Sequence, residues 1–477
     1  MSALACPCDS PLPSIAPGSE FYAPMLKTRL PSVPEVVSRR ARGAILRSLT
    51  AQLIDLIRSK PVEHEDLIAA SHFVLDTVAC VIGGQTSPPG RILLEWFEDT
   101  AGDPGRAAFL TSGLAHILEI DDLHKDSVTH PGCVVIPPAW YLAQRLGASG
   151  REFLTAVLHG YEAVTRVGMA VGPAHYKLWH NTSTCGPFGA AMAVATLLEL
   201  DHEQTVWALG NAGTQSCGLW QFLPDNAMSK HLHTARAAEA GFMAASLAAR
   251  GFTGAERILE GEQGFFRALC PDPIPDALLA EPDELWQLRR TSMKPWPCCR
   301  HTHPAIDAAL ELHRAMGAQS PVSVQVQTYQ TALDVCDRSS PETLYTAKFS
   351  LQHCVNVALS DGRVDFESFD DAQRARFATV SSDTTLSTAP EFDEAYPRRW
   401  GAAVSVTLPS GEVMSAARRD CKGDPELPLS PQEITEKAQM VMRQGDNKEG
   451  VPIEQILNLP QAHETPGFPL RVTGGVQ

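Results

Sequence analysis

The sequence is short of positive charge: 39 lysines and arginines stand against 55 aspartates and glutamates, for a formal net charge of −16 over 477 residues. That balance excludes a general binder of nucleic acid or of an anionic membrane, since either needs an extended basic face. An anionic ligand must then meet a local basic pocket inside an acidic molecule. No uninterrupted apolar run reaches the roughly 18 residues that span a bilayer, and the N-terminus lacks the charged-then-apolar pattern of a secretory signal, so a cytoplasmic location is expected. Paired C-x-x-C spacing is also missing. The 12 cysteines are scattered from Cys6 to Cys421 and read as reduced, mostly buried residues instead of a disulfide framework. Adjacent Cys298-Cys299 cannot easily both ligate one tetrahedral metal, and no zinc site is signalled. There is no internal repeat, no heptad pattern and no glycine-rich phosphate loop after a strand.

What is present is an ordinary globular composition, 44% apolar and 20% charged, in a chain long enough for two or three domains. Residues 1–40 read as an irregular extension, with seven prolines before residue 37 and no apolar period. From 41 to 285 the pattern is helical, with segments at 44–57, 67–82, 133–146, 151–171, 187–199, 203–219 and 232–250. The segments at 187–199 and 232–250 are rich in alanine and contain Gly189 and Gly241. Small side chains let helix axes approach closely, which places these two at the centre of a bundle.

Between 286 and 425 the texture changes. A helix at 304–316 is followed by an alternating segment at 322–329 with the period of a half-buried strand. A second alternating pair, 404–408 and 412–414 around Pro409-Ser410-Gly411, predicts a β-hairpin. Helices are expected at about 345–360 and 367–378. Helical periodicity returns over 426–462, expected to pack back on the first domain, and 463–477 form a tail. The predicted fold is therefore mainly α: a large all-helical domain with a smaller inserted α+β domain.

Four segments carry possible chemistry. The first, residues 119–132, packs Glu119, Asp121, Asp122, Asp126, His124 and His130 into fourteen positions. A carboxylate that holds an imidazole N–H fixes its tautomer and raises its basicity, which is how a proton-transfer site is built. The second is 179–187, where His180 and a run of hydroxyls precede a helix whose free N–H groups favour an anion; plain N-capping is the alternative. The third, 228–234, brings Lys230, His231 and His233 into a buried helix, costly unless something negative meets them. His231 and His233 lie two apart on opposite sides of an extended chain, so joint metal ligation is not expected. The fourth, 294–304, holds Lys294, Arg300 and His303 at the boundary between the two textures, where ligand clefts tend to form. His303-Pro304 reads as N-cap and first helical residue. Arg300 offers a bidentate fork to a carboxylate.

Taken together, Asp121-Asp122 before His130-Pro131-Gly132, His180 before Gly186-Pro187-Phe188-Gly189, Gly213-Thr214-Gln215 before Lys230-His231-Leu232-His233, and Lys294 before Pro297-Cys298-Cys299-Arg300 and His303-Pro304 resemble the MmgE/PrpD family. The resemblance covers roughly 45–460. It implies a large all-helical domain with a smaller inserted α+β lid domain, a lyase acting on a small di- or tricarboxylic acid, a homodimer, and no required cofactor or metal. It also implies His130, His180, Lys230, Lys294 and His303 as active-site residues, with Asp122 or Asp121 in support. Read with the chemistry of the four segments, His130, Asp122, Asp121 and His180 are expected to be catalytic and Lys230, His233, Lys294, Arg300 and His303 to bind substrate. Dehydration of a 2-methylcitrate-like acid ranks first, decarboxylation of a cis-aconitate-like acid second and epimerisation of an iminodisuccinate-like acid third. Two departures from the family pattern bear on the substrate: residues 98–112 are short, and no tyrosine near Leu333–Cys336 matches the one lining the pocket of decarboxylase-like members. Two other classes compete: a metal-dependent phosphohydrolase with Asp121, Asp122, His124 and His130 as ligands, and a non-catalytic dimeric scaffold.

Overall fold

Helix dominates the architecture, and the reason is visible in how the helices start. The computed structural model describes residues 48–98, 104–225, 227–283, 285–445 and 452–469. The expected extension 1–40 and the first residues of the helix expected at 44–57 lie outside the described residues. The helical part comprises α1 (Leu49–Ser59), α2 (His64–Gly84), α3 (Pro88–Glu98), α4 (Pro104–His116), α5 (Pro131–Leu146), α6 (Gly150–Ala170), α7 (Asn181–Leu197), α8 (His202–Gly213), α9 (Ser229–Ala248) and α10 (Phe265–Leu269). Capping boxes open α6, through Ser149 and Glu152, and α8, through Asp201 and Gln204, each satisfying N–H groups that a helix start leaves free.

α7 is buried on every side; Thr196 alone of its residues is not fully buried. Its glycines explain how. Gly189 faces Gly160 of α6 so closely that a Cβ on either would meet the other's carbonyl oxygen at 2.8–2.9 Å, and a Cβ on Gly241 of α9 would meet Ala191 N and Pro187 O at 2.6 Å. α7 begins six residues before the expected 187. Pro187 lies inside it, and the missing proline N–H removes one bond without ending the helix. α8 stops at Gly213, short of the expected 219, because Gln215 and Ser216 close a tight turn on Ala212 and Gly213. α2 is long and apolar enough to cross a membrane, but 83% of that window is buried inside the protein.

Beyond residue 290 the chain forms β2 (Thr291–Ser292), α11 (His303–Met316), β3 (Ser323–Thr328), α12 (Gln330–Cys336), α13 (Leu344–Ala347), α14 (Leu351–Asp361), α15 (Asp371–Asp383), β4 (Thr385–Thr388), α16 (Pro390–Asp393), β5 (Ala402–Thr407) and β6 (Val413–Arg418). Four strands form one sheet in the order β4-β3-β5-β6, with β3 parallel to β4 and antiparallel to β5. The hairpin β5-β6 pairs Thr407 with Val413, and Gly411 in its turn has φ +87°, a conformation glycine adopts without strain. β4 carried no clear sequence signal. α11 packs on β5 and β6 and α14 packs on α11, in a core separate from that of the helical part. The helix expected at 345–360 is two, α13 and α14, because Ser350 caps a new start by accepting from His353 N at 3.0 Å. That break leaves Lys348 between them.

Two connections bring the regions to the site. A short strand β1 (Leu123–His124) pairs with β2, Leu123 opposite Ser292 and His124 opposite Thr291. The helices α17 (Pro431–Met442) and α18 (Ile453–Leu457) pack on α2. Of the tail, Thr465–Phe468 is docked: Trp140 Nε1 donates to Pro466 O at 2.7 Å and Phe468 stacks on Tyr141.

Candidate active site

The site is built around the loop from His116, the last residue of α4, to His130, the N-cap of α5. Glu119 in that loop has φ +61°, a left-handed conformation that costs a non-glycine residue roughly 1–3 kcal/mol and persists only where the surroundings hold it. Three lysines do so. Lys348 Nζ donates to Leu118 O at 2.8 Å, Lys294 Nζ to Glu119 O at 2.6 Å and Lys437 Nζ to Ile120 O at 2.9 Å. Lys437, from α17, also pairs with buried Asp76 at 2.5 Å. Lys230, in the first turn of α9, meets both Glu119 carboxylate oxygens at 2.6 Å. Burial works to raise the Glu119 pKa and is outweighed by Lys230, then His116 and Lys294, which bring it to about 2.

Next to this clamp runs a line of imidazoles. His116 lies 4.6 Å from His130 and 5.7 Å from His180 between ring centres, and His180 Nδ1 is 3.4 Å from His233 Nδ1. Asp121 joins the first two: its Oδ2 is 2.6 Å from His116 Nδ1 and 3.3 Å from His130 Nδ1. Against burial, these two histidines hold the Asp121 carboxyl well below its ordinary range. His130 Nδ1 is also 2.6 Å from the carbonyl oxygen of Asp122. A carbonyl can only accept, so Nδ1 carries the hydrogen and Nε2 is left as the basic nitrogen. Among the described residues, Nε2 has no hydrogen-bond partner. Burial lowers the His130 pKa to about 4 despite Asp121, so the ring is neutral near pH 7.

Of the two acids expected to support His130, Asp121 reaches it through its carboxyl and Asp122 through its backbone carbonyl. The Asp122 carboxyl accepts from Gly132 N at 3.1–3.2 Å and from Tyr161 OH at 2.8 Å. Burial and then the charge of Asp121 raise its pKa to about 8. His180 is the N-cap of α7, as His130 is of α5, and neither side chain caps its own helix. Burial, then His116 and Lys230, keep His180 well below the ordinary histidine range. Burial also lowers His233 to about 4.

Two further residues named from sequence are each committed within the protein through one nitrogen. Arg300 offers half a fork: its Nη2 is 2.5 Å from Asp424, which also takes Ser292 Oγ at 2.6 Å, its guanidinium lies over Trp400, and its Nη1 is buried without a hydrogen-bond partner among the described residues. His303 is the first residue of α11, after N-cap Thr302, one position from the expected cap. Its Nε2 donates to Cys298 O at 3.3 Å and its Nδ1 is buried without a partner. The ligand set of the phosphohydrolase alternative does not converge, because His124 bonds Ser127 Oγ at 2.9 Å and Gln287 Oε1 at 3.0 Å. A different trio, His116, Asp121 and His130, lies close enough to hold a metal ion, but Asp121 Oδ2 is already shared between both imidazoles.

His116, Lys348 and Tyr345 carried no site signal in the sequence, and Glu119 stood out there only as one acid of the first segment. His116 sits inside an apolar run and reads as core. Tyr345 lies nine residues past the stretch where a pocket tyrosine was sought; its hydroxyl is buried without a partner, and burial, with Glu119 next, pushes its pKa well up. The polar groups thus gathered are enclosed: Lys230, Lys294, His130 and His180 are 1–8% exposed. Such an arrangement can steady an acid's negative charge with ammonium groups while a neutral imidazole takes or returns a proton.

Models of the MmgE/PrpD N-terminal domain and the MmgE/PrpD C-terminal domain match residues 49–277 and 296–458. The chain belongs to the MmgE/PrpD family. Among curated members it is 27% identical over 299 residues to the cis-aconitate decarboxylase-like protein oryM of Aspergillus oryzae, 56% of this chain and 62% of that protein, so the chain spans less than two thirds of that relative's length. It is 24% identical over 367 residues to the cis-aconitate decarboxylase of Aspergillus terreus, 68% of this chain and 74% of that one. With human cis-aconitate decarboxylase it shares 25% over 434 residues, 82% of this chain and 87% of the human protein.

Proposed function

We propose that this MmgE/PrpD member is a lyase that removes carbon dioxide from a small, cis-aconitate-like polycarboxylate. The observation that carries the reading is the clamp beside the imidazole line: Lys230 and Lys294 stand at Glu119 and Asp121, next to a histidine whose Nε2 is free to accept or deliver a proton. Decarboxylation breaks the bond from carbon to one carboxylate, releases carbon dioxide and moves the electron pair through the alkene to the carbon beside another carboxylate. A proton must then arrive at that carbon. Lysines facing the developing enediolate lower the barrier, and their effect is large where water is excluded.

In this reading Lys230 and Lys294 bind carboxylates, exchanging part of their hold on the loop for the substrate. His130, oriented by Asp121 and by the Asp122 carbonyl, transfers the proton. His180 and His233 add donors beside it. A triply charged substrate raises the pKa of the imidazoles it meets, turning a neutral His130 into an acid. Tyr345 supports placing decarboxylation ahead of dehydration, reversing the order drawn from sequence, as do the names of the relatives. Dehydration of a 2-methylcitrate-like acid remains the second reading, because a neutral His130 also suits removal of a proton next to a carboxylate. We read the α+β part as the lid that opens to admit substrate, the chain as a cytoplasmic homodimer, and turnover as metal-independent.

The test is to incubate the purified protein with cis-aconitate and, separately, with 2-methylcitrate in deuterium oxide. Carbon dioxide with one deuterium in the product from cis-aconitate supports the proposal. New alkene absorbance from 2-methylcitrate alone supports dehydration. Deuterium exchange without net reaction favours epimerisation.

A further inference from the structure

Directly after the catalytic loop the chain borders a second cavity, of about 340 Å³, in which none of the imidazoles or site lysines takes part. Five cations line it: Lys125, Arg290, Arg398, Arg399 and Arg419. The nearby acids are already shared. Lys125 Nζ is 2.9 Å from Glu426 and 3.4 Å from Asp424, Arg290 pairs with Glu281 at 3.0 Å and Asp126 at 3.7 Å, and Arg399 pairs with Asp420. Arg398 and Arg419, both exposed, have neither an ion pair nor a hydrogen bond among the described residues.

Guanidinium groups gathered round one concavity repel each other unless an anion meets them, and their forks match the oxygens of phosphate or carboxylate. In a chain of net charge −16, placing two unpaired arginines beside three paired cations at one cavity is the reverse of what composition alone would place there. The volume falls within the roughly 300–1,000 Å³ of small-molecule sites. We propose that this cavity binds a small anion carrying two or more negative groups, phosphate or carboxylate, with Arg398 and Arg419 as its principal contacts and Arg290 and Arg399 at its rim. The position is suited to influence the site, since Lys125 and Asp126 follow β1, three and four residues past Asp122. The proposal concerns binding alone and stands whether or not the chain is a lyase.

Isothermal titration of the full chain with pyrophosphate and with tricarballylate, at roughly physiological salt where the Debye length is about 8 Å, tests it. Wild type is compared with the double variant Arg398→Ala/Arg419→Ala and with Arg419→Glu. These positions are exposed, so melting temperatures should stay close to wild type, and turnover of each variant is measured separately. The proposal expects affinity for at least one probe to fall tenfold or more in both variants; which probe responds tells phosphate from carboxylate. Affinity for both probes unchanged in the variants, or no binding to wild type at millimolar concentrations, overturns it.

Discussion

The helical part and the α+β part meet at one loop but bring it unlike chemistry. From the helical part come His116, Asp121, His130, His180 and His233, wired to one another and to the backbone by short bonds within a few turns of two helix starts. From beyond residue 290 come Lys294, Lys348 and Tyr345, and each lysine reaches the loop through a single bond to a carbonyl. The proton-handling side is therefore carried by the helical part alone, whereas the charge-binding side draws its lysines from both parts. Lys230 stands between, carried by the helical part but lying 5.6 Å from the ring of Phe349 across the divide.

The comparison breaks most visibly at Lys230. Lys230→Met leaves the Glu119 carboxylate buried without its ammonium partner, and removing one member of a buried pair costs about 3–5 kcal/mol. Chemical denaturation should show that loss, and adding Glu119→Gln to the same chain should recover most of it.

A smaller loss tests the helical side alone. A methyl group at position 241 would sit 2.4 Å from Ala190 Cβ and 2.6 Å from backbone atoms of Ala191 and Pro187. Gly241→Ala should therefore destabilise by about 1–3 kcal/mol, the usual cost of overpacking, while Arg398→Ala on the far part does not.

The imidazole side also predicts how stability follows pH. Burial holds His130 and His159 at about 4 and His231 and His301 at about 3, whereas in the unfolded chain they titrate near 6.5. Between about pH 6.5 and 4 the unfolded chain binds protons that the folded one refuses, so stability falls as pH drops through that window. Asp122, raised to about 8, and Asp76 and Asp307, raised by burial, work the other way, but the buried histidines, with His124 and His233 at about 4 among them, outnumber them. Thermal melts from pH 7 to pH 5 should lose several degrees, and His159→Gln should flatten the curve.

The smallest effect expected is at Asp122. With a pKa near 8 the carboxyl is protonated at neutral pH and resembles an amide. Asp122→Asn should change stability by less than about 1 kcal/mol between pH 5 and 7, measured by denaturant midpoint.

Much of this was legible in the sequence where a residue's chemistry and its position in a helical pattern pointed the same way. His130 and His180 stand before helix starts, and Lys230 and Lys294 are charges set in apolar surroundings that needed an anion. The readings went astray where the deciding partner lay far along the chain. Arg300 read as a whole fork because Asp424, which takes one arm, is 124 residues away, and Lys348 read as an ordinary helix residue because its target, Leu118 O, is 230 residues back. His116 was hidden by the apolar period around it. The backbone role of Asp122 could not be read from a side chain at all.

The most direct test of the account is single turnover of cis-aconitate by His130→Ala, with carbon dioxide release followed beside the melting temperature. Loss of a positioned proton-transfer group lowers the rate by about 10²- to 10⁴-fold, and the account predicts that fall with melting within a few degrees of wild type. Carbon dioxide released at the wild-type rate by a folded His130→Ala protein would contradict it.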